Sequence, residues 1–259
     1  MDVVIVPVLV YHAVATESPA GLERWTVSPQ TFAQHVDAIE QSGRMPLTIS
    51  DRAECLRGER RLDADAVAIT FDDGYADTHD AAHALMRRGI RSTVYVTTGS
   101  IGTQGMLSVA QLEQLAQTDA VELGAHSVTH PHLDELPAAD IEREIAGSRH
   151  ELEAHIGTPV TSFAYPHGSY DRGVRAAVIE AGYGSAVAVR NALSHLQDDP
   201  YAIARVTVLA GTSADRIAGI LRGENVRVAS PGERMRTRAF RTLRRARRQL
   251  RERTRAARR

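Results

Sequence analysis

Ala68-Ile69-Thr70-Phe71-Asp72-Asp73-Gly74-Tyr75 is an apolar run that stops on two adjacent carboxylates and a glycine. Residues 67–71 are apolar or β-branched, which predicts a buried strand. Two acids at the end of such a strand are costly unless a cation or protons offset their charge. Successive strand side chains point to opposite faces, so Asp72 and Asp73 can do different work. Gly74 permits a sharp turn that leaves the mouth of the site open. On these residues alone an ordinary Asp-Asp-Gly turn reads the same way. The feature that separates the two readings is His126-Ser127-Val128-Thr129-His130.

These histidines stand four apart, directly after a predicted strand at 121–124. One helical turn, or a tight loop, brings both rings to one side. A carboxylate and two imidazoles can hold a divalent metal and still leave positions for water and substrate. His132 competes as a ligand, and a lone histidine in such a place is more often structural.

Around these two motifs, strand-like and helix-like segments alternate. Residues 3–11 predict the first strand. Ser28-Pro29 supplies an N-cap and a proline at N1 for a helix that Gly43 stops. A short strand near 46–47, a helix from Ser50, a helix over 78–88 and a strand over 92–96 follow. Ser108-Val109-Ala110-Gln111 is a capping box. A long helix over 138–156 ends at Gly157, and a strand over 161–165 leads into Pro166-His167-Gly168. Asp171 caps a helix that stops at Gly182; strands near 185–189 and 204–209 and a helix over 213–221 complete the series. Such repeated units imply a mostly parallel sheet covered by helices. About seven of them predict a (β/α) barrel, distorted or incomplete, followed by a basic C-terminal helix. Barrel sites lie at the carboxyl ends of strands, where both motifs and Pro166-His167-Gly168 fall.

The 259 residues, 43% of them hydrophobic, can bury one large core. A single cysteine, Cys55, excludes an intrachain disulfide and a cysteine-rich metal cluster. No apolar run approaches the ~18 residues of a membrane span. The apolar start lacks a positive n-region and a small-residue cleavage site, so it reads as a strand and the expected location is cytoplasmic. Charge is uneven. Residues 234–259 carry thirteen arginines against Glu252, which, with an overall −1, leaves −13 on the remainder. All 31 basic residues are arginine; we read that as coding bias. The organisation is therefore a barrel domain over 1–228 and an Arg-rich tail over 229–259.

Thr70-Phe71-Asp72-Asp73-Gly74 and His126-Ser127-Val128-Thr129-His130 resemble the first two motifs of the polysaccharide deacetylases, the NodB-like family. Phe163-Ala164-Tyr165-Pro166-His167-Gly168 resembles the third. The resemblance implies that Asp72 is the general base, and that Asp73, His126 and His130 hold one divalent ion: zinc, with iron, cobalt or nickel as alternatives. It implies a second oxyanion donor in the turn of Tyr165, Pro166 and His167, the backbone N–H of His167. The activity implied is removal of an N-acyl group, foremost acetyl, from an amino sugar or glycan, including a lipid-linked one. Two alternatives stay open: hydrolysis of a non-sugar amide or formamide C–N bond, and a non-catalytic carbohydrate- or membrane-binding relative.

The chain departs from the family pattern in four places. Ala164 stands where the third motif has arginine, His167 stands where tyrosine is usual, and there is no Asp-x-x-Asp-Trp motif. The late Leu-x-His that supplies the general acid is missing from the last strand. Leu9-Val10-Tyr11-His12 instead resembles an N-terminal motif of the branch that deacetylates biofilm poly-N-acetylglucosamine. That likeness implies His12 as general acid and Arg205 as the residue orienting Asp72. A core histidine and a rim ion pair are the plain alternatives. Leu193-Ser194-His195 spells the late motif in a predicted polar loop, which makes His195 the second candidate acid. Tyr11, Tyr165 and Trp25 are candidates for stacking on a sugar ring.

In the tail, Met235, Ala239, Leu243, Ala246 and Leu250 recur at three and four residues among arginines. This predicts a basic amphipathic helix, suited to an anionic membrane surface such as the inner leaflet. Nucleic acid is disfavoured, because no recognition fold accompanies the charge and aromatics for stacking are nearly absent from the tail.

Overall fold

The computed structural model describes residues 4–18, 20–62 and 65–230. Eight parallel strands carry the fold: β1 (Val8–Tyr11), β2 (Met45–Leu47), β3 (Ala66–Phe71), β4 (Ser92–Val96), β5 (Val121–Ala125), β6 (Ser162–Ala164), β7 (Ser185–Val189) and β8 (Ile203–Thr207). They are bonded in the order β1-β8-β7-β6-β5-β4-β3-β2, and β1 also pairs with β3, from Val8 opposite Ala68 to Tyr11 opposite Phe71. That last pairing closes a ring of seven. β2 is the additional strand: it lies along Ala66–Ala68 at the start of β3, and β4 takes over at Thr70 and Phe71. The barrel is thus closed.

Among the described residues seven α-helices surround it: α1 (Pro29–Gln41), α2 (Ile49–Arg57), α3 (Thr78–Met86), α4 (Val109–Ala116), α5 (Ala138–Ile156), α6 (Arg172–Glu180) and α7 (Ala214–Leu221). Their starts are written in the sequence. Ser28 accepts from the Thr31 N–H with Pro29 at N1, Ser108 and Gln111 form the capping box, and Asp171 accepts from the Val174 N–H. The first strand departs from expectation. Pro7 has no N–H to give, and the chain breaks there into Ile5–Val6 and β1. Ile5–Val6 leaves the barrel to pair antiparallel with Ser194–His195.

Strand alternation sorts the core into two. Val8, Ala68, Tyr95, Ala164, Val187 and Ile203, from six different strands, meet inside the barrel. Their sequence neighbours Leu9, Ile69, Val94, Phe163 and Ala188, and Val206 three residues beyond Ile203, pack outward under the helices. The amino end is plugged by α2, whose Ile49 and Ala53 join the inner cluster. Arg52, fully buried, donates to the Ser194 hydroxyl and the His195 carbonyl there. Of the two barrel ends, the carboxyl end is the one left open for a site.

Among the described residues no helix is long and apolar enough to cross a membrane. Ala229 still packs on the barrel, its N–H donating to the Leu193 carbonyl. The predicted tail helix over 234–259 lies outside the described residues.

Candidate active site

The period of two that builds the barrel also aims the site. His12 is four residues beyond Val8, Asp72 four beyond Ala68 and Arg205 two beyond Ile203, so all three continue inward-facing rows. His126 follows β5 directly, and its N–H donates to the Val96 carbonyl. Asp73 has the wrong parity for an inward position. It is turned in by its backbone: Asp73 and Gly74 both take left-handed conformations, with φ of 73° and 81°. Aspartate tolerates this better than most residues. At Gly74 any side chain would be strained and would press on Val96 at 3.3 Å.

Three donor atoms converge. His126 Nε2 and His130 Nε2 are 3.2 Å apart, and Asp73 Oδ1 lies 3.5 Å from the first and 3.3 Å from the second. Two ligands about 2.05 Å from one zinc ion at the tetrahedral angle stand about 3.3 Å apart. The triangle therefore has the size such an ion requires. The protonation pattern agrees. His126 Nδ1–H donates to the Ala164 carbonyl at 2.8 Å, which leaves the Nε2 lone pair facing the centre. Asp73 Oδ1 is buried without a hydrogen-bond partner, as a carboxylate awaiting a cation would be.

A braced loop carries His130. Ser127 and His130 are left-handed, with φ of 64° and 57°, conformations that cost about 1–2 kcal/mol per residue. Buried Glu144 of α5 offsets this: its carboxylate accepts from the N–H groups of Val128 and Thr129 and from the Thr129 hydroxyl. The Ser127 hydroxyl accepts from the His130 N–H. Left-handed non-glycine residues thus cluster at the site, where strain signals a function over-riding local preference.

Beside the triangle, Asp72 stands 3.8 Å from His126 Nε2. Arg205, fully buried, donates to both of its carboxylate oxygens at 2.6 and 2.7 Å. Arg205 also donates to the Thr70 hydroxyl and lies over the Tyr95 ring. It is an interior residue, not a rim ion pair. Burial would raise the Asp72 pKa, but Arg205 and His126 outweigh it and hold the carboxyl below its ordinary value. Asp73 is likewise held low: burial works against ionisation, and His126, His12 and His130 overcome it. Burial lowers His126, yet Asp72 and Asp73 raise it above its usual value. His130 drops to about 4, through burial and then the charge of His126.

A cleft of about 630 Å³ opens over these groups, walled by His12, Trp25, Tyr75, Met106 and His167. His12 Nδ1 is buried without a partner, and burial pulls the imidazole below its ordinary pKa against the pull of Asp72 and Asp73. Several expectations are corrected. Tyr11 and Tyr165 do not reach the cleft: strand alternation turns them outward, where the Tyr11 hydroxyl bonds to His35 and that of Tyr165 donates to the Tyr201 carbonyl. Pro166 is buried beneath the turn, and of that trio only His167 lines the cleft. Of the stacking candidates Trp25 alone remains. His195 lies in a buried strand, not a polar loop, at the amino end. Both its ring nitrogens are engaged, Nε2 with the Ala229 carbonyl and Nδ1 with the Gln197 N–H, so it cannot serve as the acid. His132 groups with Asp134 and Glu135 instead of the Asp73 triangle. Sequence reading passed over Glu144 and Tyr75; the latter directly follows the Asp-Asp-Gly turn and was available there.

The polysaccharide deacetylase family profile matches residues 59–186, a segment that holds Asp72, Asp73, His126 and His130. The chain carries a polysaccharide deacetylase domain. His12 and Arg205 lie outside the matched segment. A Bacillus subtilis protein named "Putative polysaccharide deacetylase YxkH" is 25% identical over 208 residues, 80% of this chain and 72% of that one. The structure of IcaB from Ammonifex degensii aligns at TM-score 0.75 and 25% identity, over 84% of this chain and 97% of IcaB. The Streptococcus pyogenes deacetylase PplD, in complex with acetate, aligns at TM-score 0.76 and 22% identity, over 83% and 97%. The fold seen in these two deacetylases therefore covers more than four fifths of this chain.

Proposed function

We propose that this deacetylase domain hydrolyses the N-acetyl amide of an amino sugar within a glycan, with a divalent ion held by Asp73, His126 and His130. The observation that carries the reading is the donor triangle with a clamped carboxylate next to it. When bound, the ion would polarise the amide carbonyl and lower the pKa of a water. Asp72 takes that water's proton as it attacks the carbonyl carbon. It does so as an ionised base, kept in one plane by the two hydrogen bonds of Arg205. His12, which follows β1 next to Asp72 and lines the same cleft, gives a proton to the departing sugar amine as the C–N bond breaks. The N–H of His167 supplies an oxyanion donor at the rim, and Trp25 offers a face for the sugar ring.

The test is acetate release from N-acetylated oligosaccharides by the zinc-loaded full chain. Asp72→Ala should abolish turnover and keep the metal, whereas His126→Ala should lose both. A Asp72→Ala protein retaining most of its rate would sink the assignment. A metal-loaded protein inert on every amino-sugar acetamide would point to a non-sugar C–N bond.

We further propose that the Arg-rich segment over 234–259 holds the enzyme to anionic membrane at the inner leaflet, near lipid-linked or nascent glycan. The support is charge alone: each arginine near such a surface is worth about 1 kcal/mol. Flotation with anionic vesicles should separate the full chain from one cut after Ser230, and equal binding would end the idea.

A further inference from the structure

A second pair of histidines lies outside the catalytic cleft. His79 and His83 stand four residues apart on α3, with ring centroids 4.4 Å apart, an interplanar angle of 67° and Nε2 atoms 3.2 Å apart. The corresponding values for His126 and His130 are 4.8 Å, 63° and 3.2 Å. On a helix this follows from the i, i+4 relation, which stacks two side chains on one face. The spacing again equals the separation of about 3.3 Å that two nitrogens take on one zinc ion.

A third donor comes from the neighbouring helix. Gln114 Oε1, on α4, is 2.9 Å from His79 Nε2. On its other side, His79 Nδ1 is 3.0 Å from Asp80 Oδ1, so a proton on Nδ1 is donated to the carboxylate. In that tautomer His79 Nε2 and Gln114 Oε1 face each other as two lone-pair donors. A cation between them removes the conflict. Without a metal, either the Gln114 amide turns so that its NH2 serves His79, or His79 carries a proton on both nitrogens and donates to Gln114 Oε1.

We propose that His79, His83 and Gln114 form a surface site for a borderline divalent ion, Zn²⁺, Ni²⁺ or Cu²⁺, that ties α3 to α4. α3 begins at Thr78, five residues after Asp73, so the ion would anchor the helix that backs the acid motif. With two neutral imidazoles and an amide, and no carboxylate in contact, this site is weaker than the Asp73 site and fills second.

Calorimetric titration of the metal-free full chain with Zn²⁺ tests this. His83→Gln should remove one equivalent of the weaker class, or weaken it at least tenfold, and leave acetate release unchanged. Gln114→Leu, at an exposed position, should weaken the same class without endangering the fold. His126→Ala should abolish the tighter class and leave the weaker one, so failure of the catalytic reading would show separately. Isotherms of His83→Gln and Gln114→Leu that superimpose on the unmodified protein would overturn the proposal and assign the pair to the ring contact alone.

Discussion

Arg205, near the end of the barrel, grips both carboxylate oxygens of Asp72, 133 residues earlier in the chain, at 2.6 and 2.7 Å. Neither charge is exposed, so the pair is a commitment of the fold as much as of the chemistry. Removing one partner of a buried pair leaves the other uncompensated, at a cost of about 3–5 kcal/mol. Arg205→Met should lose stability of that order in chemical denaturation and lose turnover, while metal content is retained. The sign with pH follows from the depressed Asp72 pKa. The pair's contribution is present above the unfolded carboxyl value and is lost as pH falls through the folded one. The stability this pair gives the unmodified protein should therefore fade below about pH 4, whereas the variant, whose buried carboxyl has lost its partner, should lose less on acidification.

The two candidate acids can be told apart directly. His12→Asn should lower turnover by about 10²–10⁴, the usual contribution of a positioned proton donor, and keep the metal. His195→Asn should leave turnover intact and lower stability by about 1–3 kcal/mol, because buried backbone groups lose a partner. Steady-state acetate release and thermal melts on both variants decide it.

Much of this site was legible before any coordinates. The strand-end acids, the histidine pair and the third turn came from short motifs, whose spacing survives in the chain; the roles proposed for His12 and Arg205 came from the likeness to one branch of the family. Barrel alternation was legible as well, and applied strictly it would have turned Tyr11 and Tyr165 outward, since each is one residue off an inward row. His195 was not legible. Its literal Leu-Ser-His spelling carries no hint that Pro7 would break the first strand and send Ile5 to pair with it. Nor does any local pattern show Glu144 reaching back from α5; that contact depends on how the helix docks.

Glu144 yields its own prediction. Its carboxylate satisfies three donors of the His130 loop, whose left-handed residues need that support. Glu144→Ala should weaken zinc binding at the Asp73 site about 10–100-fold, the typical effect of losing an outer-shell partner. Competition with a chromophoric chelator would measure it, and unchanged affinity would show that the loop holds its shape unaided.

Metal binding should also depend on pH in a specific way. His126 titrates above its ordinary value in the metal-free protein, whereas His130 does so at about 4. Between pH 5 and 6.5 only His126 must lose a proton to become a ligand. Zinc affinity at the tight site should fall about tenfold for each unit of acidification across that window, not a hundredfold. Calorimetry in two buffers of different ionisation enthalpy should report close to one proton released.

The most direct measurement is anomalous diffraction at the zinc edge from crystals of the full chain grown with Zn²⁺. A peak should lie about 2.0–2.2 Å from Asp73 Oδ1, His126 Nε2 and His130 Nε2, with Asp72 still held by Arg205 and outside bonding distance. A cleft without such a peak under saturating zinc, or one in which Asp72 has left Arg205 to bind the ion, would contradict the account.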